Sequence, residues 1–215
     1  MKNNIKISVI SPVFSAETII DKLCEELIDS LNQITENFEI ILVDDCSPDS
    51  SWLKIQQNAK IHSEIKGIKL SKNFGQHYAI TAGIDHAEAD WYVIIDCDLQ
   101  DNPKEIINLY KKTAEGFEIV LAARKNRKDG FLKRNTSKVF YLLLGFLSGL
   151  KFNGEVGNFG IYSHKVINSI RSLKEPFRFF VSSVKWVGFE STTIDVSHKN
   201  RFDGKTSYNY KKLIS

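Results

Sequence analysis

The run Trp91-Tyr92-Val93-Ile94-Ile95-Asp96-Cys97-Asp98-Leu99-Gln100-Asp101-Asn102-Pro103 decides the fold. Its first part is short, apolar and rich in Ile and Val, the pattern of a strand buried on both faces. It then breaks into aspartates at 96, 98 and 101. Asn102, Pro103 and Glu105 follow as a helix start: a capping side chain, a proline suited to the first helical position, and a carboxylate at capping-box spacing. Strand, acidic turn and helix make the repeating unit of a parallel α/β sheet. Ligands of such sheets bind beyond the carboxyl ends of the strands, so these aspartates stand where chemistry is expected.

The same alternation extends through residues 1–123. Ile5–Ser11, Glu39–Val43, Ile68–Leu70, Trp91–Asp96 and Glu118–Ala122 read as buried strands. Glu17–Leu31, Ser51–His62, Gln76–Ala87 and Pro103–Lys112 read as helices. The expected fold class is therefore an α/β sandwich, a mainly parallel central sheet flanked by helices. From Arg124 the rhythm breaks. Residues 124–134 are basic and polar, 135–150 apolar and aromatic, and a long loop leads to a helix expected over Tyr162–Leu173. Residues 176–196 mix aromatics, and the tail from Lys199 is basic. No repeat or linker divides the chain, so one domain over residues 1–215 is expected.

Composition agrees. Of 215 residues, 42% are hydrophobic and 26% charged, which excludes collagen, low-complexity and disordered chains. No apolar run approaches the ~20 residues of a membrane-spanning helix. The N-terminus shows no signal-peptide pattern. Cys24, Cys46 and Cys97 form no CxxC pair and read as reduced thiols, not a disulfide frame or zinc site. The net charge of +3 hides a division. Residues 1–123 hold 11 Lys and Arg against 20 Asp and Glu, a balance of −9; residues 124–215 hold 18 against 6, a balance of +12. The second part is expected to face anions such as phosphates or lipid headgroups.

A second acidic strand end, Val43-Asp44-Asp45-Cys46-Ser47, accompanies the first. Crowded carboxylates repel one another and are stabilised by a cation or by hydrogen-bond donors. Asp96 and Asp98, two apart, point the same way from an extended backbone. Oxygen ligands of this kind suit Mg²⁺ or Mn²⁺ shared with substrate phosphates. A lone Asp-x-Asp is as readily a solvated turn; placement after an Ile-rich strand, with a second acidic strand end nearby, favours the cation.

Taken together, Ser11-Pro12-Val13-Phe14, Val43-Asp44-Asp45-Cys46-Ser47, Leu70-Ser71-Lys72-Asn73-Phe74-Gly75-Gln76, Asp96-Cys97-Asp98-Leu99-Gln100-Asp101, Phe131-Leu132-Lys133-Arg134 and Ser183-Val184-Lys185-Trp186-Val187-Gly188-Phe189 carry a resemblance. Over about residues 5–210 the sequence resembles family 2 glycosyltransferases of the GT-A fold, and more narrowly the bacterial polyprenyl-phosphate and dolichol-phosphate glycosyltransferases. The resemblance implies a nucleotide-sugar-binding part over 1–123 and an acceptor- and membrane-facing part over 124–215. It implies that Pro12, Phe14, Asp44 and Asp45 hold the nucleotide base and ribose, and that Asp96 and Asp98 hold the divalent cation, Mg²⁺ or Mn²⁺, with Gln100 beside them. Glu17, Lys72, Gln76 and Arg201 join the donor-binding set on the same ground. Arg124, Arg127, Lys133 and Arg134 are implied to bind the lipid phosphate or the departing diphosphate, and Arg201 and Lys205 flank Gly204 in a string like the family's closing Arg-x-x-Gly lid.

Two departures stand out. The first motif continues Phe14-Ser15-Ala16-Glu17 where the family has Tyr-Asn-Glu-Glu, and Gly157-Asn158-Phe159-Gly160 stands where the family has Gly-Asp-Phe-Arg. If that aspartate acts as a base, this chain does without it, which an already anionic phosphate acceptor tolerates.

The implied activity is inverting, metal-dependent transfer of a hexose from a nucleotide-sugar, a UDP-sugar by preference, to undecaprenyl or another polyprenyl phosphate. Alternatives are transfer to a saccharide hydroxyl in capsule or O-antigen synthesis, and a non-catalytic module that binds nucleotide-sugar or acidic lipid. No helix-turn-helix, RNP or zinc pattern supports nucleic acid as a partner. The expected location is the cytoplasmic face of the inner membrane, bound peripherally, and a homo-oligomer stays open. The pattern stops mid-helix at Lys211-Lys212-Leu213-Ile214-Ser215, so membrane helices are expected to be truncated or absent.

Residues 133–150 combine Lys133, Arg134 and Lys138 with Phe140, Tyr141, Leu143, Leu144, Phe146 and Leu147, a composition suited to an interfacial helix. Each Lys or Arg near an anionic leaflet contributes about 1 kcal/mol. A Lys133→Glu, Arg134→Glu double variant is therefore expected to lose binding to anionic vesicles, most steeply at low salt. Unchanged vesicle binding in a flotation assay would remove this segment from the membrane contact.

Overall fold

The computed structural model describes residues 5–124, 156–173 and 179–196. Seven strands form one sheet in the order β3-β2-β1-β4-β6-β5-β7. The elements are β1 (Ile7–Val13), α1 (Ile20–Leu31), β2 (Phe38–Asp44), α2 (Ser51–Ile61), β3 (Ile65–Lys69), α3 (Gln76–His86), β4 (Trp91–Ile94), α4 (Glu105–Thr113), β5 (Ile119–Arg124), β6 (Val156–Ser163), α5 (His164–Arg171), α6 (Phe180–Trp186) and β7 (Ser191–Val196).

β1 and β2 are buried at every position, as expected of central strands covered on both faces. Ile7, Val9 and Val13 of β1 join Leu23, Leu27, Ile106 and Leu109 in the core layer beneath α1, α2 and α4. Ile10 of β1 and Ile41 and Val43 of β2 join Ile80, Ile84, Ile167 and Phe180 in the layer beneath α3, α5 and α6. Alternate residues of one strand thus feed two cores, which makes the three-layer sandwich. α1 presents Ile20, Leu23, Cys24, Leu27 and Leu31, one stripe at helical spacing, to the sheet.

The sheet is parallel except at β6, which runs antiparallel to β4 and β5. Sequence reading places a loop and a helix start there, and misses β6. The strand contains Gly157, Asn158 and Gly160, residues that punctuate loops. Packing overrides that preference: a Cβ on Gly160 would lie 2.9 Å from both the Val120 carbonyl oxygen and the Leu121 side chain, so only glycine lets the strands approach. β7 is also missed, because Ser191–Val196 is an edge strand with mostly exposed or half-buried positions and no apolar run. β3 begins earlier than expected, at Ile65. The helix expected from Tyr162 starts at His164, where the Ser163 hydroxyl accepts from the Val166 amide. The helix expected from Pro103 starts at Glu105, with Lys104 in the capping position and no side-chain cap; Asn102 instead accepts from the Lys104 amide at 3.2 Å in the turn before it.

Glu39 marks the end of the sheet opposite the loops described below. It is 4% exposed and accepts from the Lys66 ammonium at 2.6 Å and the Glu88 amide at 3.3 Å, with Lys6 at 3.5 Å. Burial pushes its carboxyl up, but these donors outweigh burial and hold it below the usual carboxylate range. A carboxyl lowered on folding stabilises above its unfolded value near 4.3, and the contribution is lost as pH falls through the folded value. Glu39→Gln should cost about 1–2 kcal/mol at pH 7. Urea midpoints should show the gap to wild type closing as pH falls below about 4; a gap that persists to pH 3 would contradict the assignment.

Candidate active site

Because β1, β2 and β4 are parallel, their carboxyl ends share one edge of the sheet. Chain order reverses between β1 and β4: β2 and β3 lie on one side of β1, β4 on the other. A crevice opens at such a switch point. The pairing of β1 with β4 ends at Ile10–Ile94, although β1 continues beside β2 to Val13. The Ile10 carbonyl accepts from the Ile95 amide and the Val13 carbonyl from the Asp45 amide, so Ile10 faces β4 and Val13 faces β2. Pro12 faces the same side as Ile10, just past the end of the pairing. Proline has no N–H to leave unsatisfied there, so β1 and β4 part without a buried orphan donor.

Each loop at this edge turns through a left-handed residue. Ser15 after β1, Cys46 after β2 and Leu99 after β4 have φ of 53°, 57° and 54°, and among the described residues these are the non-glycine residues with positive φ. Such conformations cost of order 1–3 kcal/mol each and persist only where the surroundings hold them. Here the loops hold one another. The Ser15 amide donates to the Ser47 hydroxyl at 3.1 Å, the Ala16 amide to the Ser51 hydroxyl at 2.9 Å, and the Ser50 amide to the Glu17 carboxylate at 2.8 Å. Glu17, expected in the donor-binding set, is thus placed in a latch between two loops. Ser47, Asp49 and Ser51 were not singled out from the sequence. The signal was the run Ser47-Pro48-Asp49-Ser50-Ser51, whose short polar side chains bind nearby backbone groups.

The adjacent aspartates of β2 separate into two roles. Asp44 is fully buried; one carboxylate oxygen accepts from the Ser47 amide at 3.1 Å, and Oδ2 has no partner. A buried, unmatched carboxylate oxygen is costly and implies a donor supplied from outside. Asp45 is 3% exposed, and its two oxygens accept from the Phe74 and Gly75 amides, each at 2.8 Å. These two bonds hold the loop before α3.

Asp96, Cys97 and Asp98 are half-buried where β4 ends. The Gln76 side-chain amide donates to Asp96 Oδ1 at 2.5 Å, and the Gln100 backbone amide donates to Asp98 Oδ1 at 3.1 Å. Gln76 therefore reaches the acidic turn itself. Burial, and then the Asp96 charge, push the Cys97 thiol up to about 12, so it stays neutral between the two carboxylates. Among the described residues no group of three or more His, Cys, Asp or Glu gathers as a metal cage. Two carboxylates at a crevice nonetheless fit Mg²⁺ or Mn²⁺, which keep waters and take one or two carboxylates plus substrate phosphates.

Other expected site residues distribute around this edge. Phe14 is half-buried just past β1, and Pro12 is buried within it. Lys72 is exposed, its ammonium 4.9 Å from the Phe74 ring centre. Arg124 ends β5, which is parallel to β7 and antiparallel to β6, so its backbone stands at the same edge as Asp96. Asn158 lies in β6, where the pairing with β5 shifts register between Leu121 and Ala123. Arg127, Lys133, Arg134, Arg201 and Lys205 lie outside the described residues.

A family model described as glycosyl transferase family 2 matches residues 8–171. The chain is 35% identical over 215 residues to an uncharacterized glycosyltransferase, YkcC, of Bacillus subtilis, covering 100% of this chain and 67% of that protein. It is 31% identical over 215 residues to an undecaprenyl-phosphate 4-deoxy-4-formamido-L-arabinose transferase of Proteus mirabilis, covering 98% of this chain and 65% of that protein. The chain thus spans about two thirds of the length of these relatives. Among solved structures, glucosyl-3-phosphoglycerate synthase from Mycobacterium tuberculosis, in complex with Mn²⁺, UDP-glucose and phosphoglyceric acid, matches with a TM-score of 0.68 at 17% identity, over 98% of this chain and 75% of that one. The fold is the GT-A α/β fold.

Asparagine at 96 or 98 keeps an oxygen for the Gln76 or Gln100 amide while removing a charge from a crowded turn. Asp96→Asn and Asp98→Asn are therefore expected to melt no lower than wild type without a cation, and to lose any stabilisation by Mn²⁺. Full retention of a Mn²⁺-dependent melting shift in both variants would exclude these carboxylates as ligands.

Proposed function

The chain belongs to glycosyl transferase family 2, and from that premise we propose that it transfers a hexose from a nucleotide-sugar to polyprenyl phosphate with inversion at the anomeric carbon. The carrying observation is the division of labour at the crevice. Asp44 offers a buried acceptor with no partner, while Asp96 and Asp98 stand at the neighbouring strand end. A nucleoside diphosphate needs both kinds of group: an acceptor for base or ribose donors, and negative oxygens that share a cation with the phosphates.

Asp44 Oδ2 accepts from the base or ribose and fixes the nucleotide, and Phe14, half-buried just past β1, supplies an aromatic ring for stacking. Asp96 and Asp98 hold the divalent cation, Mg²⁺ or Mn²⁺. When bound, that cation neutralises charge on the departing diphosphate. The latched loops hold these groups in place before the substrate arrives, so little is reorganised during the reaction. The lipid phosphate is the acceptor because its oxygen is already anionic near neutral pH and needs no base to remove a proton. Asn158 stands where the family has an aspartate and offers an amide and no base, which disfavours a saccharide hydroxyl as acceptor. The printed activity of the Proteus mirabilis relative, on undecaprenyl phosphate, supports the same acceptor. The basic balance of residues 124–215 suits an anionic membrane surface, where the chain docks peripherally. No helix of the described residues is long and apolar enough to cross a membrane.

UDP is expected to bind more tightly than GDP in the presence of Mn²⁺. Asp44→Asn turns an amide N–H toward the ligand's donor and should weaken UDP binding roughly 10- to 100-fold, the equivalent of a lost charged hydrogen bond. Calorimetry measures both. Transfer from UDP-sugars to polyprenyl phosphate, followed with radiolabelled donor, should fall more than ~100-fold in Asp96→Asn, a barrier increase of about 2.7 kcal/mol. Glycosylation of a soluble saccharide with none of the lipid phosphate would replace this reading with the hydroxyl-acceptor one.

A further inference from the structure

The strings Asp44-Asp45 and Phe74-Gly75-Gln76 lie 29 to 32 residues apart in sequence, yet they meet at one edge of the sheet and end on Asp96. Asp45 takes the Phe74 and Gly75 amides on its two oxygens, at 2.8 Å each. Gly75 has φ of 95° and ψ of 159°, a conformation natural to glycine, and a Cβ there would touch nothing within 4 Å. The glycine is required by its backbone angles and not by lack of space. That turn aims the first residue of α3, Gln76, at β4, and its side-chain amide meets Asp96 Oδ1 at 2.5 Å. The start of α3 is fixed further by the Tyr78 and Ala79 amides, which donate to the Gly75 carbonyl.

We infer that Gln76 is a positioning residue for Asp96, and that Asp45 sets Gln76 in place through the backbone of Phe74 and Gly75. This rests on the reading of Asp96 as a cation ligand. The side-chain type at 76 is informative. A lysine would also donate to Asp96, but its charge would compete with the cation. A glutamate would repel the carboxylate. Glutamine supplies a donor that orients one oxygen and leaves the full negative charge of the pair for the cation. Partners in this outer position fix a ligand's orientation, and their loss commonly costs 10- to 100-fold in metal affinity. Asp45 does not touch the cation in this scheme. It is the anchor of a three-residue strap that ties the end of β2 to the end of β4.

The test is a Mn²⁺ titration of the full chain by electron paramagnetic resonance at saturating UDP, with melting midpoints to confirm folding and UDP affinity measured separately in EDTA. Gln76→Ala is expected to weaken Mn²⁺ binding 10- to 100-fold and Gln76→Glu by more. Both should leave metal-free UDP affinity at the wild-type value, because Asp44 is untouched. Asp45→Asn, which turns an N–H toward one of the two loop amides, should weaken Mn²⁺ in the same direction. Combined with Gln76→Ala it should add little, since both act through one contact. If Asp96→Asn loses Mn²⁺ while both Gln76 variants bind it as wild type does, the positioning role is overturned and the cation site stands. If Asp96→Asn binds Mn²⁺ as tightly as wild type, the cation reading falls and this role with it. Fully multiplicative losses in the double variant would overturn the link from Asp45 to Gln76. Should Asp45→Asn fail to fold, the two Gln76 variants still decide the main claim.

Discussion

The parting of β1 from β4 beyond Ile10–Ile94 is the constraint on which the rest of the structure depends. A central strand normally cannot leave a partner without exposing amides to an apolar interior. This one parts at a proline, while its other side stays paired with β2 as far as Val13–Asp44. Past that point both chains continue above a floor that stays paired, and the Phe14 backbone meets Cys97. The acidic residues of β2 and β4 stand on one rim because the strands that end there are parallel.

Four carboxylates, at 44, 45, 96 and 98, crowd that rim, and neutral groups donate hydrogen bonds to them. The Ser47, Phe74, Gly75 and Gln100 backbone amides and the Gln76 side chain all donate to them. None of these five donors carries a charge. An arrangement built only for stability would put lysine or arginine here, as it does around Glu39 at the opposite end of the sheet, where Lys66 and Lys6 approach the buried carboxylate. The contrast separates two uses of an acidic side chain in one fold. At one end lysines approach the charge; at the other, uncharged donors orient it.

Most strands and helices of residues 1–123 were legible because each is a long or strongly patterned run between turn residues, β3 excepted, and the acidic strand ends pointed to this edge of the sheet. Two kinds of feature were not legible. β6 and β7 carry glycine, asparagine, serine and threonine in place of an apolar run, and their pairing is imposed by neighbours distant in sequence. The partition of Asp44 from Asp45 was equally hidden. Adjacent identical residues at a strand end look alike until the loop bearing Phe74 and Gly75 folds against one of them. Glu17 and Gln76, expected in the donor-binding set, make hydrogen bonds within the protein, with Ser50 and Asp96.

Two left-handed residues, Ser15 and Cys46, lie in loops held by side-chain oxygens of Ser47, Ser51 and Glu17, and a third, Leu99, lies in the turn after β4. Glycine at 15, 46 and 99 would relieve the dihedral cost but would loosen each turn in the unfolded and folded states alike. Leu99 cannot be exchanged on those terms, since it is 6% exposed and packs in the core beneath α4. The turn after β4 is thus anchored from both sides: its apolar residue is buried in the core, and its flanking carboxylates are tied to Gln76 and to the Gln100 amide. A turn so fixed limits how far Asp96 and Asp98 can shift relative to each other. The cost of bringing two like charges together is then met during folding, and binding does not have to meet it again.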